Sequence, residues 1–378
     1  MMSMNAPLLS VGIDISPVLY GRGVSRYTAN LVQALLKDTT LQLELFGNSM
    51  RRKSDLESFA QKVGLKKSLH ATHIPPKALS LLWYRLNWPD IHYFLPKVQV
   101  FHAWEELVPP STKIPIVATI HDIALMKYPE IAHPLTRYRH IQAWKRLKAQ
   151  QAHLITVSES TRQDVIKYLD FPPEKVHLVY EALPEERKIP ISPQEIERMR
   201  IEFGLSRPYL LWVGTHEPRK NLSLLINAWQ KIGKDVDLVL AGATGWQNSN
   251  QKLKYLPKIL GYVSDKTLAT LYSGASAFVF PSLDEGFGLP ILEAFYYGIP
   301  VVTSNRSAMK EIAGSVAELI NPEDEDSLLK GIKKILDEDS QDSKKRKQQM
   351  TQRLQIFNWS NTAKATQKVY QKAFQGKI

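Results

Sequence analysis

Residues 279–304, VFPSLDEGFGLPILEAFYYGIPVVTS, decide the fold of this chain. A β-branched and aromatic run opens the stretch, and a turn with Asp284, Gly286 and Gly288 follows it. An apolar segment of helical length comes next, and the β-branched run Val301 to Ser304 closes the stretch. This order predicts a strand, a loop, a helix and a second strand, as in α/β folds.

Two carboxylates in this stretch are candidate ligand-binding groups. Glu285 lies in the loop and Glu293 in the predicted helix, with seven residues between them. Because Glu285 precedes the helix, it can fold back over the helix N-terminus, so that both carboxylates line one pocket. Gly286 and Gly288 leave backbone N–H groups accessible there, which favours anionic or hydroxyl-rich ligands. The alternative is a structural unit, with Glu285 as the helix cap and Glu293 on a solvated face.

The spacing of these acids resembles the donor-site signature of retaining family 4 glycosyltransferases of the GT-B fold. The resemblance rests on E-x7-E with FGLP between the acids, followed by EAFYYGIPVV. It implies that Glu285 contacts hexose hydroxyls and that Glu293 holds the ribose of a nucleotide sugar. The loop residues that it places around the sugar are Gly286, Phe287, Gly288 and Leu289.

The length and composition of the chain suit two globular domains. At 378 residues the chain exceeds one ordinary core, and 44% hydrophobic with 23% charged residues is typical of folded proteins. The absence of cysteine excludes disulfides, thiolate catalysis and cysteine zinc sites, and it fits a reducing cytoplasm. Neither a signal peptide nor an apolar run of about 18 residues is present. We therefore expect a cytoplasmic protein, with peripheral contact at the inner face of a membrane as a further expectation.

The net charge of +12 calls for a partner of opposite sign. Nucleic acid, anionic lipid and phosphorylated substrates all qualify. The segment Leu81 to Trp88, LLWYRLNW, mixes aromatic and basic residues as a helix on an anionic membrane does. A half-buried helix whose basic side chains extend to solvent has the same composition. If the segment meets a membrane, it marks the acceptor side.

Residues 8–36 form a Rossmann-like opening of strand, glycine loop and amphipathic helix. Gly21 and Gly23 can bring backbone close to a phosphate or a sugar, although the GxGxxG spacing of dinucleotide sites is not met. A plain tight turn is the alternative. In the family this loop lies beside the donor diphosphate and the acceptor, which implies that Arg22 and Arg26 meet anionic groups.

A histidine follows the buried strand predicted over Ile116 to Ile120. Polar residues at the carboxyl end of a strand bind ligands in α/β sheets, although a structural hydrogen-bonding role is the alternative. The run IHDIALMKYPE resembles the family loop whose histidine lies by the hexose 6-hydroxyl. The resemblance therefore places His121 at the catalytic centre.

The strand pattern restarts after the proline-rich linker Pro184 to Pro193. Just before the linker, Tyr180-Glu181 occupies the place where family members commonly carry Asn-Gly, a departure at the hinge or cleft wall. We expect a first domain over residues 1–184 and a second over residues 185–356. The segment FNWSNTA resembles the family's crossover, so residues 357–378 should form a helix that packs on the first domain.

A basic pair, Arg219 and Lys220, precedes the first helix of the second domain. These charges can converge with the helix amides on a diphosphate, and fixed cations can neutralise a leaving group without metal. The resemblance assigns Lys220 to the diphosphate lysine of the family. The usual arginine after the glycine, here Gly214, is replaced by Thr215, so Arg219 takes its place.

A glycine turn, Gly261-Tyr262-Val263, resembles the one whose backbone recognises the nucleobase edge in the family. Tyr262 and Val263 are therefore candidate donor-binding residues. Asp265 has the character of a cap for the next helix.

Together these features predict a GT-B fold, with two Rossmann-like domains facing a cleft and the acceptor bound by the first. The reaction that the resemblance implies is retaining hexosyl transfer from a nucleotide diphosphate sugar, either a UDP-hexose such as UDP-glucose or GDP-mannose. The acceptor is a sugar or lipid-linked oligosaccharide hydroxyl in polysaccharide or glycolipid synthesis. No cofactor, metal or nucleic-acid partner is expected. His121 and Glu285 would position the hexose, and Arg219 and Lys220 would stabilise the leaving group. The acceptor would attack on the same face from which the leaving group departs.

Two alternatives compete with this prediction. The two glutamates can act as a glycosidase pair, which requires carboxylates that face each other across the scissile bond at about 5–10 Å. The chain can instead be a basic protein that binds nucleic acid or another polyanion without catalysis. That alternative predicts steep salt dependence of binding and leaves the paired glutamates without a role.

Overall fold

A computed structural model describes residues 8–21, 23–131, 133–242 and 253–376. The chain divides into two compact units. The first unit comprises Met1–Glu181 together with Trp359–Ile378, and the second comprises Ala182–Asn358. Arg22, a candidate contact for anionic groups, lies outside the described residues.

The first unit is built on a sheet of seven parallel strands in its described part. The strands are β1 (Leu9–Asp14), β2 (Leu41–Asn48), β3 (Leu69–Thr72), β4 (Val100–Ala103), β5 (Ile116–Ile120), β6 (His153–Thr156) and β7 (Val176–Leu178). Their order in the sheet is β3-β2-β1-β4-β5-β6-β7, so β1 and β4 are neighbours from which the chain winds in opposite directions. Ligands bind at such a switch point, beyond the carboxyl ends of the strands.

Helices connect these strands. They are α1 (Gly23–Leu35), α2 (Lys53–Lys62), α3 (Pro76–Leu81), α4 (Ile91–Phe94), α5 (Ala124–Lys127), α6 (Pro134–Ala149) and α7 (Glu159–Leu169). Short 3-10 turns lie at Ser16–Leu19, Lys66–Ser68, Pro129–Ile131 and Pro173–Lys175. Ser158 caps α7, because its hydroxyl accepts a hydrogen bond of 3.0 Å from the N–H of Thr161.

The aromatic segment Leu81 to Trp88 belongs partly to the core and partly to the surface. A π-helix at Leu82–Leu86 continues α3. Trp83 is fully buried, with its ring centroid 6.2 Å from that of Phe46. Leu81, Leu86 and Trp88 are exposed instead. The burial interpretation therefore describes Trp83, and the surface interpretation describes most of the other side chains.

The second unit repeats the same winding with six parallel strands among its described residues. They are β8 (Tyr209–Val213), β9 (Asp237–Ala241), β10 (Lys258–Gly261), β11 (Ala277–Phe280), β12 (Val301–Ser304) and β13 (Glu318–Ile320), in the order β10-β9-β8-β11-β12-β13. Here the switch point lies between β8 and β11. The opening stretch thus forms β11, a loop, a helix and β12, as predicted.

The helices of the second unit are α8 (Pro193–Glu202), α9 (Leu222–Ile232), α10 (Asp265–Gly274), α11 (Leu289–Tyr296), α12 (Ser307–Ala313), α13 (Glu325–Leu336) and α14 (Ser340–Leu354). Two 3-10 turns lie at Glu185–Arg187 and Pro218–Lys220. The cap of α10 differs from the prediction. Ser264 is the N-cap, accepting a 3.1 Å hydrogen bond from the N–H of Thr267, and Asp265 is the first helical residue.

Close backbone packing holds the loops after β8, β9 and β10 together. The N–H of Gly214 donates to Ala241 O at 3.1 Å, and the N–H of Gly242 donates to Gly261 O at 2.7 Å. Gly242 has φ +90°, and a Cβ there would lie 3.0 Å from Gly214 O. Glycine is required at this position because the two loops approach each other through backbone atoms.

The last helix, α15 (Trp359–Gln375), belongs to the first unit and packs on α1. Tyr370 on α15 lies 2.7 Å from His102 Nδ1 through its hydroxyl. His102 Nε2 lies 3.0 Å from Thr119 Oγ1, which in turn lies 3.1 Å from the Tyr27 hydroxyl. A chain of buried hydrogen bonds thus joins α15, β4, β5 and α1.

Replacing Tyr370 with Phe should weaken the attachment of α15. The change leaves a buried ring nitrogen of His102 without its partner, so we expect the free energy of unfolding to fall by about 1–3 kcal/mol. Urea denaturation of the variant measures this loss. Lys368→Ala, on the exposed face of the same helix, is the matched control and should unfold like the parent. Equal stability of Tyr370→Phe and the parent would contradict the role of this bond.

Candidate active site

The loops that follow β8 and β11 lie side by side at the switch point of the second sheet. The N–H of Leu283 donates to Arg219 O at 2.8 Å. The side-chain amide of Asn221 donates to Pro281 O at 3.1 Å, and Asn221 itself has φ +55°. Neighbouring strands therefore bring two segments together that are far apart in the sequence.

Glu285 and the basic pair form one ionic cluster between these loops. Lys220 Nζ lies 2.7 Å from Glu285 Oε1, and Arg219 NH1 lies 2.9 Å from Glu285 Oε2. Arg219 also donates to Asp284 O at 2.5 Å and pairs through NH2 with Glu217 Oε1 at 2.8 Å. Each oxygen of the Glu285 carboxylate thus faces its own cation.

The electrostatics of this cluster keep Glu285 ionised. Burial by itself raises the pKa of a carboxyl group, but the positive charges of Lys220 and Arg219 outweigh it and lower the pKa of Glu285. The three side chains are 9–14% exposed. A carboxylate held between two cations is a fixed, pre-oriented acceptor for hydroxyl groups of a ligand.

Arg219 is committed to protein contacts more completely than Lys220. Its guanidinium is shared between the carboxylates of Glu217 and Glu285. Lys220 has the Glu285 pairing, and its ammonium also lies 5.4 Å from the ring centroid of Phe280. The geometry therefore suits Lys220 to reach an anionic ligand and Arg219 to hold Glu285 in place.

Ser307, a residue without a sequence signal, supports the backbone of this loop. Its hydroxyl lies 2.5 Å from Asp284 Oδ1 and 2.9 Å from Glu285 O, and it lies 3.3 Å from the N–H of Glu285. Ser307 is the first residue of α12 and has φ +54°, an uncommon conformation for a residue with a side chain. The loop is thus fixed on both sides.

The glycine loop leads into α11. Gly288 has φ +103° and is the N-cap residue, with Leu289 as the first residue of the helix. Gly286 and Phe287 are buried, and the Phe287 ring packs edge-on against Phe357 at 5.8 Å between centroids. Glu285 is therefore not the helix cap that the structural alternative proposed.

Glu293 has a different set of ionic partners. It is buried on α11, and Arg187 Nε lies 3.3 Å from its Oε1. Arg187 NH1 lies 3.3 Å from Asp265 Oδ1, and the hydroxyl of Tyr297 donates to Arg187 O at 2.7 Å. Sequence analysis placed Arg187 in a linker, because one arginine in a charged stretch has no distinguishing pattern.

The turn after β10 exposes its side chains. Gly261 has φ +64°, and the Tyr262 side chain is 82% exposed. Val263 follows it, half-buried, before the cap of α10. Because the Tyr262 side chain extends into solvent, the backbone of this turn is the part that a ligand at the end of β10 can contact.

In the first unit, His121 stands directly after β5. Its ring packs edge-on against Tyr27 of α1, with 4.7 Å between ring centroids. Gly21 is exposed with φ +68°, Gly23 begins α1 and is also exposed, and Arg26 lies on the first turns of that helix. The loop after β1 and the end of β5 thus belong to the same edge of the first sheet.

Two buried carboxyl groups lie close to His121. Burial lowers the pKa of His121 to about 4, so its imidazole is neutral at pH 7. Glu181 Oε2 lies 3.9 Å from His121 Nδ1, and burial raises the pKa of Glu181 to about 8. Glu105 makes a hydrogen bond with the His121 backbone, and burial raises its pKa well above the usual value. Neither acid was predicted as a site residue.

Across residues 8–21, 23–131, 133–242 and 253–376, no three histidine or carboxylate side chains are grouped as metal ligands. None of the helices in the described part of the chain combines the length and apolar character that crossing a bilayer requires.

Two family models match the chain. The model of glycosyl transferases group 1 matches residues 193–353, and the model of glycosyltransferase family 4 matches residues 21–187. The chain is also 32% identical over 301 residues to the O-antigen chain mannosyltransferase B of Escherichia coli, and the match covers 76% of each protein. The chain belongs to the group 1 glycosyltransferases. The family resemblance drawn from residues 279–304 is thereby confirmed.

Other relatives of this glycosyltransferase extend the comparison. The serotype-specific mannosyltransferase WbdA of Escherichia coli is 26% identical over 292 residues, which is 73% of this chain but 36% of WbdA. The structure of HepE from Anabaena in complex with UDP and glucose aligns with a TM-score of 0.69 at 14% identity. That alignment covers 96% of this chain and 100% of HepE, and it confirms the two-domain GT-B fold.

Replacing Glu285 with Gln in this glycosyltransferase should destabilise the second unit. The change leaves two buried cations without their carboxylate, so we expect a loss of about 3 kcal/mol at neutral pH. Because the pKa of Glu285 is lower in the folded than in the unfolded protein, its contribution is present above about pH 4.5. It is lost as the pH falls through the folded value.

Urea denaturation at pH 7 and at acidic pH tests both statements. Glu323→Gln removes a surface carboxylate from Arg306 and is the control, which should change stability little at either pH. A loss for Glu285→Gln that is the same at both pH values would contradict the charge-pairing account.

Proposed function

We propose that this glycosyltransferase is a metal-independent, retaining hexosyltransferase that acts on a nucleoside diphosphate sugar. The Glu285–Arg219–Lys220 cluster carries the proposal, because it combines a fixed hydroxyl acceptor with cations at the switch point of a parallel sheet. The reaction would serve polysaccharide or glycolipid synthesis. A lipid-linked or free sugar hydroxyl would be the acceptor.

Mannose is the first candidate for the transferred hexose. Both relatives described above are mannosyltransferases, and the first of them is matched over three quarters of its length. GDP-mannose is therefore the donor to test first. HepE, whose structure holds UDP and glucose, makes UDP-glucose the second candidate.

Donor binding would use the carboxyl ends of the second sheet. Glu285 would accept hydrogen bonds from hexose hydroxyls, and the amides from Gly286 to Leu289 would hold the same sugar. Glu293 would hold the ribose hydroxyls, with Arg187 keeping its carboxylate in place at 3.3 Å. The backbone at Tyr262 would face the nucleobase.

The leaving diphosphate would be stabilised by Lys220 and Arg219. Fixed cations at the place where charge develops lower the barrier to group transfer. The acceptor hydroxyl would attack the anomeric carbon on the face from which the diphosphate leaves. As the glycosidic bond forms and the bond to the phosphate oxygen breaks, the acceptor proton would pass to that leaving oxygen. His121 would contribute to positioning the hexose through its 6-hydroxyl.

An acceptor carried by an anionic membrane would explain the charge of +12. The first unit presents a mixed surface, here called the aromatic-basic surface, formed by Leu81, Arg85, Leu86, Trp88 and Tyr93. Leu86 is 65% exposed and Tyr93 is 73% exposed, and with Leu81 and Trp88 they place four exposed large apolar side chains within residues 81–93. Apolar side chains beside cations suit the interfacial region of an anionic bilayer at its cytoplasmic face.

Binding of the donor tests the nucleotide-sugar proposal. In calorimetric titrations without metal, we expect one of GDP, UDP and ADP, or a sugar derivative, to bind in the micromolar range. Lys220→Ala should weaken binding by about tenfold or more, because it removes a charge-assisted contact to phosphate. Glu293→Gln should weaken nucleotide binding as well, through the ribose.

Lys234→Ala removes an exposed lysine of the same unit and is the control, with unchanged affinity expected. Failure of every nucleotide to bind, or equal affinity of all variants, would refute the proposal. A polyanion-binding protein would then be indicated if affinity for RNA or DNA fell steeply with salt.

Binding to vesicles tests the aromatic-basic surface. The parent should sediment with vesicles that contain phosphatidylglycerol and not with purely zwitterionic vesicles. The double variant Leu86→Glu and Tyr93→Glu should lose this binding, because it places two anions on the apolar part of the surface. Ile201→Glu, which changes an equally exposed apolar residue of the second unit, should retain it. Binding by the double variant at the level of the parent would contradict a role for this surface.

A further inference from the structure

Glu181 is a buried acid close to His121 in the first unit. It follows β7 and is 4% exposed. The backbone before it is anchored, because the hydroxyl of Thr362 on α15 donates to Tyr180 O at 2.8 Å. Glu181 therefore cannot swing freely toward solvent.

The imidazole of His121 is held between Glu181 and Tyr27. Glu181 Oε2 lies 3.9 Å from Nδ1, and the Tyr27 ring packs edge-on against the imidazole at 4.7 Å between centroids. The backbone of His121 is bonded to Glu105. The ring thus has a fixed orientation in which Nδ1 faces an acid, and Nε2 is the nitrogen on the other side of the ring.

Burial favours the uncharged forms of Glu181, Glu105 and His121 at neutral pH, whereas Asp122 and Glu106 act on Glu105 as negative charges. Burial raises the pKa of Glu181 to about 8 and of Glu105 well above its usual value, and it lowers the pKa of His121 to about 4. The pKa of Tyr27 is raised by the same cause. The titratable groups that interact with Glu181, Glu105 or His121 are Tyr27 on α1, His102 on β4, Glu106 after Glu105 and Asp122 after His121.

A neutral acid beside a neutral imidazole is favoured over a carboxylate–imidazolium pair at this site. Both arrangements bind the same number of protons, so the choice depends on solvation. Removing two charges from water costs more than their attraction returns unless further hydrogen bonds satisfy them. Within the described residues, neither side chain has a lysine or arginine partner like those that hold Glu285 ionised.

We propose that Glu181, as a protonated carboxylic acid, donates a hydrogen bond to His121 Nδ1 and thereby keeps the imidazole in the tautomer with hydrogen on Nε2. The separation of 3.9 Å exceeds a hydrogen bond of about 3 Å, and such contacts commonly tighten when a substrate binds. Glu181 is then a positioning residue that acts through His121. The proposal rests on the proposed role of His121 beside the hexose.

The tautomer decides what His121 offers to a sugar hydroxyl. With hydrogen on Nε2, the ring donates to the hydroxyl oxygen. When Glu181 loses its proton to solvent, the carboxylate can only accept, which favours hydrogen on Nδ1 and leaves Nε2 as an acceptor. Because the pKa of Glu181 is raised, the donating form is present below about pH 8 and is lost above it.

Nitrogen NMR of protein labelled with ¹⁵N-histidine reads the tautomer without any substrate. His121→Asn identifies the resonances of His121. At pH 7 we expect hydrogen on Nε2 in the parent and a change toward Nδ1 as the pH rises past about 8. Glu181→Gln should keep hydrogen on Nε2 at every pH at which the imidazole is neutral, since its amide N–H donates without titrating. Glu181→Leu should give a mixture.

Two NMR results would overturn the proposal. One is hydrogen on Nδ1, or an imidazolium, in the parent at pH 7. The other is a tautomer in Glu181→Leu that matches the parent at every pH. Thermal unfolding of each variant verifies that it is folded, and Glu181→Gln keeps the shape of the buried side chain.

The pH dependence of sugar transfer supplies the second readout. The parent should lose kcat above about pH 8, whereas Glu181→Gln should stay within about threefold of its neutral-pH value. Glu181→Leu should lose about tenfold or more in kcat with little change in the donor KM. Glu174→Gln, an exposed acid of the same unit, should keep the alkaline loss.

An alkaline loss that persists in Glu181→Gln would also refute the role of Glu181. Absence of transfer by the parent with every donor would refute the proposed function instead. The NMR result would still decide whether Glu181 controls the His121 tautomer, so the two failures are distinguishable.

Discussion

The buried charge of Glu285 is the constraint on which the second unit depends. A carboxylate taken out of water is tolerated only when cations and hydrogen bonds replace its hydration. Lys220 and Arg219 supply the cations from the loop after β8, and Ser307 fixes the backbone from α12. Because these groups come from three connections of the sheet, the charge pairing also holds the connections in register. The groups that would bind a ligand are therefore the groups that fix the local fold.

The same strand order places ionisable side chains at corresponding points of both sheets. In each sheet the chain adds strands first on one side of the first strand and then on the other, starting with the fourth. In such folds the loops at this point diverge and leave a crevice. Glu285 and Lys220 lie at this point of the second sheet, and a cavity at the same point of the first sheet is lined by residues that include Glu105 and His121. The topology, and not a local motif alone, explains why site residues from distant segments meet.

Elements with strong local patterns could be predicted from the sequence. β5 and β12 match the predicted bounds because each is a short run of mainly apolar or β-branched residues between turn or polar residues. The predicted cap of α10 was off by one residue. Ser264 and Asp265 both have capping side chains, and only the backbone angles distinguish them. Arg187 and Ser307 could not be found, because their contacts depend on tertiary approach. For Glu181 the signal was its occurrence at a position of family departure.

Two buried glutamates in this chain show how the surroundings, and not the residue type, set chemical character. Glu285 faces two cations, so it is ionised and accepts hydrogen bonds. Glu181 faces a neutral imidazole, so burial dominates and its proton is retained at neutral pH. One side chain is then a permanent acceptor and the other a donor that titrates near pH 8. For the proposed role of His121 as a donor to a sugar hydroxyl, a protonated acid is the more suitable neighbour than a carboxylate.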